Sequence, residues 1–234
     1  MTVVAKVYIV RHGETEENRR GVMQGQLDTP LNAAGVRQAA LAADALADVP
    51  FGAAYSSDLQ RASKTAEIIL ERHPGVQLQT TEALRERYMG DWQGELIATR
   101  GNPPANLEPI NTFTSRSMKW WNDTIARHVQ RRSALLNAGL GSRPVIGVDG
   151  EQDGREFEPV HILVVSHGGL IGTLVTNLVG SRKVAVAEGV EIGRCFNASI
   201  SVVDVEESGK GVLVSYADTT HLSMEVLQEN ADVQ

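Results

Sequence analysis

The sequence predicts an α/β protein, a three-layer αβα sandwich with a mostly parallel central sheet. Short runs of β-branched and apolar residues, which are typical of buried strands, alternate with segments whose apolar residues recur at helical spacing. Two of the apolar runs, at 3–10 and 161–165, lead within two residues to a histidine followed by a glycine. Because ligands in open α/β sheets bind outside the carboxyl ends of the strands, we expect both histidines at that edge.

The first half of the chain carries the clearest alternation of strands and helices. Asn32 is a favourable N-cap for the first long helix, and Ser57 is one for the second. Pro74 and Gly75 stop the second helix, because proline cannot continue it and glycine readily follows its last turn. In chain order we predict a strand at 3–10, a loop at 16–30, a helix at 33–47, a strand at 51–56, a helix from 57 to near His73 and a strand at 76–80.

The second half begins with a section that interrupts this alternation. Apolar residues recur at helical spacing over 113–136, and we expect a helical cap insertion at approximately 94–139 that lies over the edge of the sheet. Glycines and charged residues at 139–158 predict an exposed loop. Beyond it we predict a strand at 161–165, a helix at 170–179, strands at 198–205 and 212–216, and a polar tail after Leu227 that frays.

The length of 234 residues suits one α/β domain or two small ones, and we expect a single domain over residues 1–234. The net charge of −7 disfavours nucleic acid as a partner, but it permits an anionic substrate because local arginines set the field in a cleft. We expect no membrane segment and no secretory signal, and therefore a cytoplasmic protein. The single Cys195 cannot form an intramolecular disulfide, and we expect it to be a buried, inert thiol. The oligomeric state, monomer or homodimer, stays open.

Arg11-His12-Gly13, at the end of the first strand, combines three residue types that suit phosphate chemistry. Arginine offers fixed donors for phosphate, a neutral histidine can act as a nucleophile, and glycine lets the backbone approach a bound anion. The triplet alone is a weak signal, since three residues recur by chance. The residues that strengthen it are Glu14, Thr15, Asn18, Gln24, Gly25, Leu31, Asn32 and Gly35.

Three further stretches complete the pattern. In the first, at 56–66, Arg61 falls in the first turn of a helix, which is unfavourable for a cation unless an anion is bound there. The second, at 84–94, contains Glu86, and the third, at 166–169, contains His167. Taken in this order, the four stretches resemble the motifs of the histidine phosphatase superfamily, the phosphoglycerate mutase-like proteins. The resemblance covers nearly the whole chain.

This resemblance implies a metal-independent phosphoric monoester hydrolase that works through a phosphohistidine. His12 would be the nucleophile and Glu86 the proton donor. Arg11, Arg61 and His167 would hold the phosphoryl oxygens. No cofactor is implied, and zinc on two histidines and a glutamate is disfavoured because the neighbouring arginines would repel a cation. The remaining candidate substrate-binding residues are Asn18, Gln24, Gly25 and Gly168.

The outcome of the reaction depends on where the phosphoryl group goes: to water in the family's phosphatases, or back to a sugar acid in its mutases. The mutases typically show E-R-H-Y-G where this chain reads Glu86-Arg87-Tyr88-Met89-Gly90, so their substrate-binding histidine and tyrosine are not matched. The chain more closely resembles the fructose-2,6-bisphosphatase-type and broad-specificity phosphatases. We therefore expect hydrolysis of a small-molecule phosphate monoester, a sugar phosphate or related metabolite. Mutase activity and a weakly catalytic regulatory module are the alternatives.

The predicted cap leaves the leaving group of the substrate undefined. Related phosphatases often carry P-G-G-E-S ahead of the cap helix, whereas positions 104–109 of this chain read P-A-N-L-E-P. Trp120 and Trp121 either line the leaving-group pocket or, as we favour, pack the helix on the sheet. The cations that either hold a second phosphate or meet only solvent are Arg19, Arg20, Arg87, Arg116 and Lys119.

Overall fold

A computed structural model of the protein describes residues 2–140, 142–146 and 152–222. The strands are β1 (Val3–Arg11), β2 (Phe51–Ser57), β3 (Leu78–Thr81), β4 (Ser142–Ile146), β5 (Gln152–Phe157), β6 (Val160–Ser166), β7 (Val184–Val186), β8 (Ile200–Glu206) and β9 (Gly211–Asp218). The helices are α1 (Glu16–Arg20), α2 (Ala33–Ala45), α3 (Gln60–Leu70), α4 (Ile110–Asn137) and α5 (Gly168–Gly180). None of these helices is both long enough and apolar enough to cross a bilayer.

The central sheet has seven strands in the order β3-β2-β6-β1-β8-β9-β7. Four of its neighbouring pairs are parallel, and the two pairs that β8 makes, with β1 and β9, are antiparallel. The predicted mostly parallel α/β fold is therefore confirmed. Strands β4 and β5 form a separate antiparallel pair.

Strands β1 and β6 lie side by side at the centre of the sheet because both are almost continuously apolar. Their register pairs Arg11 with Ser166, so the two strands end at the same level. The backbone N–H of His12 donates to the carbonyl of Ser166 at 2.9 Å, which continues the ladder by one residue. The two histidine motifs thus meet at one edge, as the sequence predicts.

Helices cover both faces of the sheet. Helices α2 and α3 contact each other and bury small residues, alanines above all, against one face. Helix α4, which lies within the expected cap insertion, contacts α5 and the central strand β1, and so completes the opposite layer. Its apolar stripe explains this position, because Phe113, Trp120 and Trp121 belong to the core that strands and α5 share. The packing interpretation of both tryptophans is confirmed.

Several local elements differ from the sequence-based expectation. Within the expected loop 16–30, α1 forms because Thr15 and Asn18 make a reciprocal capping box. Strand β3 begins at Leu78, and the short edge strand β7 carried too few residues to be predicted. The segment 139–158, expected to be a loop, contains strands β4 and β5. The sequence did not predict them because these strands lack apolar alternation. The expected fraying tail after Leu227 lies outside the described residues.

Candidate active site

A cavity of about 500 Å³ opens at the carboxyl edge of β1 and β6. We call its buried part the inner end, formed by Arg11, His12, Arg61 and His167. His167 does not line the cavity itself, but its ring lies edge-on to that of His12, with 5.1 Å between the ring centroids. The structure therefore brings together all of the predicted site residues. Those that line the cavity are Arg11, His12, Asn18, Gln24, Gly25, Arg61, Glu86 and Gly168.

His12 is buried, and its orientation is set by the backbone of the next residue, Gly13. Nδ1 lies 2.7 Å from the carbonyl oxygen of Gly13, which can only accept, so Nδ1 carries the proton and the lone pair is on Nε2. Burial lowers the pKa of His12 well below its usual value, and the positive charges of Arg61 and Arg11 lower it further. The imidazole is therefore neutral at pH 7, which is the state that a nucleophile requires.

The loop behind His12 is tied directly to α3. The N–H of Gly13 donates to Thr65 Oγ1 at 3.0 Å, and the Thr65 hydroxyl donates to the carbonyl of Arg61 at 2.7 Å. A Cβ on Gly13 would lie 2.4 Å from the carbonyl oxygen of Gly35, and one on Gly35 would lie 2.1 Å from that of Glu14. The two main-chain segments can approach this closely only because both residues are glycines, which have no Cβ.

His167 is fully buried at the start of α5. Burial lowers its pKa well below the usual value, and the charge of Arg61 adds to the effect. Neither of its ring nitrogens has a hydrogen-bond partner among the described residues. Since buried polar atoms are normally satisfied, these nitrogens are suited to meet a bound group.

The two arginines of the inner end are anchored to carbonyl oxygens. Arg61, only 1% exposed, donates to the carbonyl of Leu27 at 2.6 Å and to that of Gly25 at 2.8 Å. Burial lowers its pKa to about 10, which keeps it charged at neutral pH. Arg11 donates to the carbonyl of Cys195 at 2.7 Å. The positive charges of the two arginines, both of which act on His12, favour the binding of an anion at the inner end.

Glu86 faces the inner end from the loop that follows β3. Its Oε2 accepts from the N–H of Gly169 at 2.8 Å, and its Oε1 accepts from the N–H of Arg87 at 2.8 Å. A Cβ on Gly169 would lie 2.5 Å from Oε1, so this glycine makes room for the carboxyl group. The first turn of α5 thus holds Glu86 beside the two histidines.

Helix α1 and the loop that follows it shape another part of the wall. Asn18 Oδ1 accepts from the backbone and hydroxyl of Thr15, both at 3.2 Å. The same hydroxyl lies 3.0 Å from Gln24 Oε1, so Asn18 and Gln24 share its one donor hydrogen. Gly25 adopts a φ of 53°, in the left-handed region that favours glycine, and its carbonyl receives Arg61.

Sequence reasoning missed the opposite side of the cavity. We call this side the outer wall; it consists of the apolar residues Val22, Met23, Met89, Ile97 and Ile110. These residues lie in loops or at a helix start, where no apolar period marks them. Cys195 also lines the cavity, and its predicted burial is confirmed.

Four of the five cations suggested for a second phosphate do not line the cavity. Arg19 pairs with Glu14 at 2.7 Å, and Lys119 pairs with Asp123 at 2.6 Å. Arg87 does line it. Among the described residues, no group of three or more histidine, cysteine or acidic side chains is placed to hold a metal ion.

Comparison with known proteins agrees with this arrangement of two histidines and two arginines. Residues 7–219 match the profile of the Histidine phosphatase superfamily (branch 1). The chain belongs to this superfamily. A zebrafish relative, "Fructose-2,6-bisphosphatase TIGAR B", is 33% identical over 207 residues, which cover 81% of this chain and 80% of the relative.

Two further histidine phosphatase relatives show the range of outcomes. The "Probable phosphoglycerate mutase GpmB" of Yersinia pestis is 32% identical over 239 residues, covering 96% of this chain and 98% of the relative. The solved structure of a mycobacterial glucosyl-3-phosphoglycerate phosphatase in complex with VO3 has a TM-score of 0.66 and 26% identity, covering 92% of this chain and 99% of that one. Family and phosphatase relatives together identify the protein as a phosphoric monoester hydrolase.

Proposed function

We propose that the protein hydrolyses a small-molecule phosphate monoester, a sugar phosphate or related metabolite, through a phosphohistidine on Nε2 of His12. One observation carries the proposal: a buried, neutral imidazole, fixed by the carbonyl of Gly13, lies among the charges of Arg11 and Arg61. A phosphate ester needs its negative charge neutralised before a nucleophile can approach the phosphorus. The inner end supplies that neutralisation and the nucleophile together.

In the first step, Arg11, Arg61 and His167 hold the non-bridging oxygens of the phosphoryl group. Nε2 of His12 attacks phosphorus in line with the bond to the leaving group; the N–P bond forms as the P–O ester bond breaks. The leaving oxygen takes a proton from the carboxyl group of Glu86 and departs as an alcohol.

In the second step, water replaces the leaving group beside Glu86. The carboxylate accepts a proton from this water, whose oxygen attacks phosphorus while the N–P bond breaks. The products are inorganic phosphate and neutral His12, and Glu86 is protonated again. Every charge that this cycle requires comes from side chains of the chain, so we propose that no metal takes part.

The decisive experiment traps the intermediate. Enzyme mixed with a ³²P-labelled ester and quenched in alkali should carry label, because phosphohistidine is stable in base and labile in acid. His12→Asn should carry none and should lose at least about 10³-fold in kcat. The matched control is His128→Asn, which changes a histidine on α4 away from the cavity. Label retained by His12→Asn, or activity abolished by a chelator, would contradict the proposal.

The Yersinia relative, a probable phosphoglycerate mutase by name, makes mutase activity the second candidate function. A mutase would return the phosphoryl group from His12 to a sugar acid rather than to water. Incubation with 3-phosphoglycerate and a catalytic amount of bisphosphoglycerate separates the two outcomes: we expect release of inorganic phosphate and no 2-phosphoglycerate.

A further inference from the structure

We infer that Arg116 and Glu108 form a clamp that positions Glu86 for proton transfer. Arg116 lies on α4 and does not line the cavity, so it acts through Glu86 rather than on the substrate. The inference rests on the proposed role of Glu86 as the proton donor, and it concerns the residues that hold this donor in place.

Arg116 uses all of its guanidinium N–H groups within the protein. Nη1 donates to the carbonyls of Ala83 at 3.0 Å and Arg85 at 2.7 Å, and Nη2 donates to the carbonyl of Glu86 at 2.8 Å. Nε and Nη2 also bond to the two carboxylate oxygens of Glu108, at 2.9 and 3.2 Å. These five bonds match the five donors of the side chain. Arg116 therefore has no donor left for a second phosphate.

Glu108 fixes the chain on the other side of Glu86. Its Oε2 accepts from the N–H of Tyr88 at 2.9 Å, and its carbonyl accepts from Nε of Arg87 at 2.8 Å. Its own N–H donates to the carbonyl of Tyr88 at 2.9 Å. The ion pair thus grips the main chain both before and after Glu86.

This grip matters because Glu86 has no strand or helix of its own. It lies between the short 3₁₀ turns Glu82–Leu84 and Gly90–Trp92, where no ladder of backbone bonds fixes the chain. The clamp itself has a firm base. The guanidinium of Arg116 lies 4.7 Å from the ring centroid of Phe113, which is buried in the core. The clamp thus connects Glu86, a loop residue, to the well-packed core, which restricts its position.

A positioning role predicts a leaving-group dependence that a general loss of structure does not. Proton donation matters little when the leaving group is a stable anion such as p-nitrophenolate, and much when it is the more basic phenolate. A displaced Glu86 should therefore slow phenyl phosphate far more than p-nitrophenyl phosphate, two esters of similar size and shape.

The test measures kcat/KM for both esters with Glu86→Gln, Arg116→Lys and Glu108→Gln. Arg116→Lys keeps the charge but cannot reproduce the five-donor fork. We expect it to lose about 10- to 100-fold on phenyl phosphate and only a few-fold on p-nitrophenyl phosphate, following the direction of Glu86→Gln. The matched control, Arg127→Lys on the solvent side of α4, should change neither rate.

Each result decides between the claims. If Arg116→Lys slows both esters equally while Glu86→Gln discriminates between them, the clamp is overturned and the acid role stands. If Glu86→Gln itself fails to discriminate, the proposed function loses its proton donor. Should Arg116→Lys fold poorly, Glu108→Gln, which is nearly isosteric, carries the same ratio test; an unchanged ratio there overturns the clamp.

Discussion

The inner end and the outer wall of the cavity are built in different ways. At the inner end, His12, Arg61 and His167 are 3%, 1% and 0% exposed, and their positions follow from strand ends and from bonds to main-chain oxygens. On the outer wall, Ile110 is 55% exposed and Met89 lies in an irregular loop. Under the proposed function, the ends of the sheet strands position the reacting groups, and the loop side chains of the outer wall would contact the leaving group. The two regions should respond differently to substitution.

The largest expected effect is at the inner end. Arg61→Lys keeps a positive charge, but its single nitrogen cannot reproduce the planar fork in which Nη1 and Nη2 reach two different carbonyls. We expect kcat/KM to fall by about 10²- to 10³-fold, and by the same factor for every ester. Steady-state rates on p-nitrophenyl and 1-naphthyl phosphates measure this, with Arg72→Lys, an exposed residue after α3, as the control. A loss confined to one ester would undo the separation of the two regions.

Burial at the inner end also predicts a dependence of stability on pH. His167 has a pKa well below 6.5 in the folded protein and an ordinary value when unfolded. The unfolded chain therefore binds one more proton as the pH falls through 6.5, and the free energy of unfolding decreases by about 1.4 kcal/mol per pH unit until the folded pKa is reached. Above pH 6.5 this contribution is constant.

Urea unfolding at pH 5.5 and 7.5 checks the pH prediction. His167→Gln, which cannot titrate, should lose less stability between these values than the wild type. Parallel losses in the two proteins would show that His167 also takes up its proton in the folded state, and would contradict a neutral imidazole at this position.

The smallest expected effect is on the outer wall. Ile110→Ser should lower kcat/KM for 1-naphthyl phosphate by about 3- to 10-fold, because a few buried methyl and methylene contacts are lost. Phenyl phosphate, whose leaving group is smaller and of similar basicity, should be hydrolysed almost as before. Val214→Ser, an exposed site on β9 away from the cavity, is the control. Equal losses on both esters would mean that Ile110 supports the chemistry itself.

The same contrast explains what could be predicted from the sequence. His12 and His167 could be placed together because short apolar runs identify buried strands in the sequence, and parallel strands end at one edge of the sheet. The face that α4 covers could not be predicted, since an amphipathic pattern shows that a stripe is buried but not against which surface. The positioning role that we propose for Arg116 could not be predicted either, because its partners are mainly backbone carbonyls, which every residue has. The outer wall could not be predicted, because its apolar residues do not recur at helix or strand spacing.

The contact between Gly13 and Gly35 has a consequence for changing this enzyme. Behind His12, main chain packs directly on main chain, so even the methyl group of an alanine at Gly13 or Gly35 would displace the backbone that holds the imidazole. In laboratory evolution of new substrate preferences, mutations should therefore accumulate on the outer wall, and the two glycines should stay unchanged.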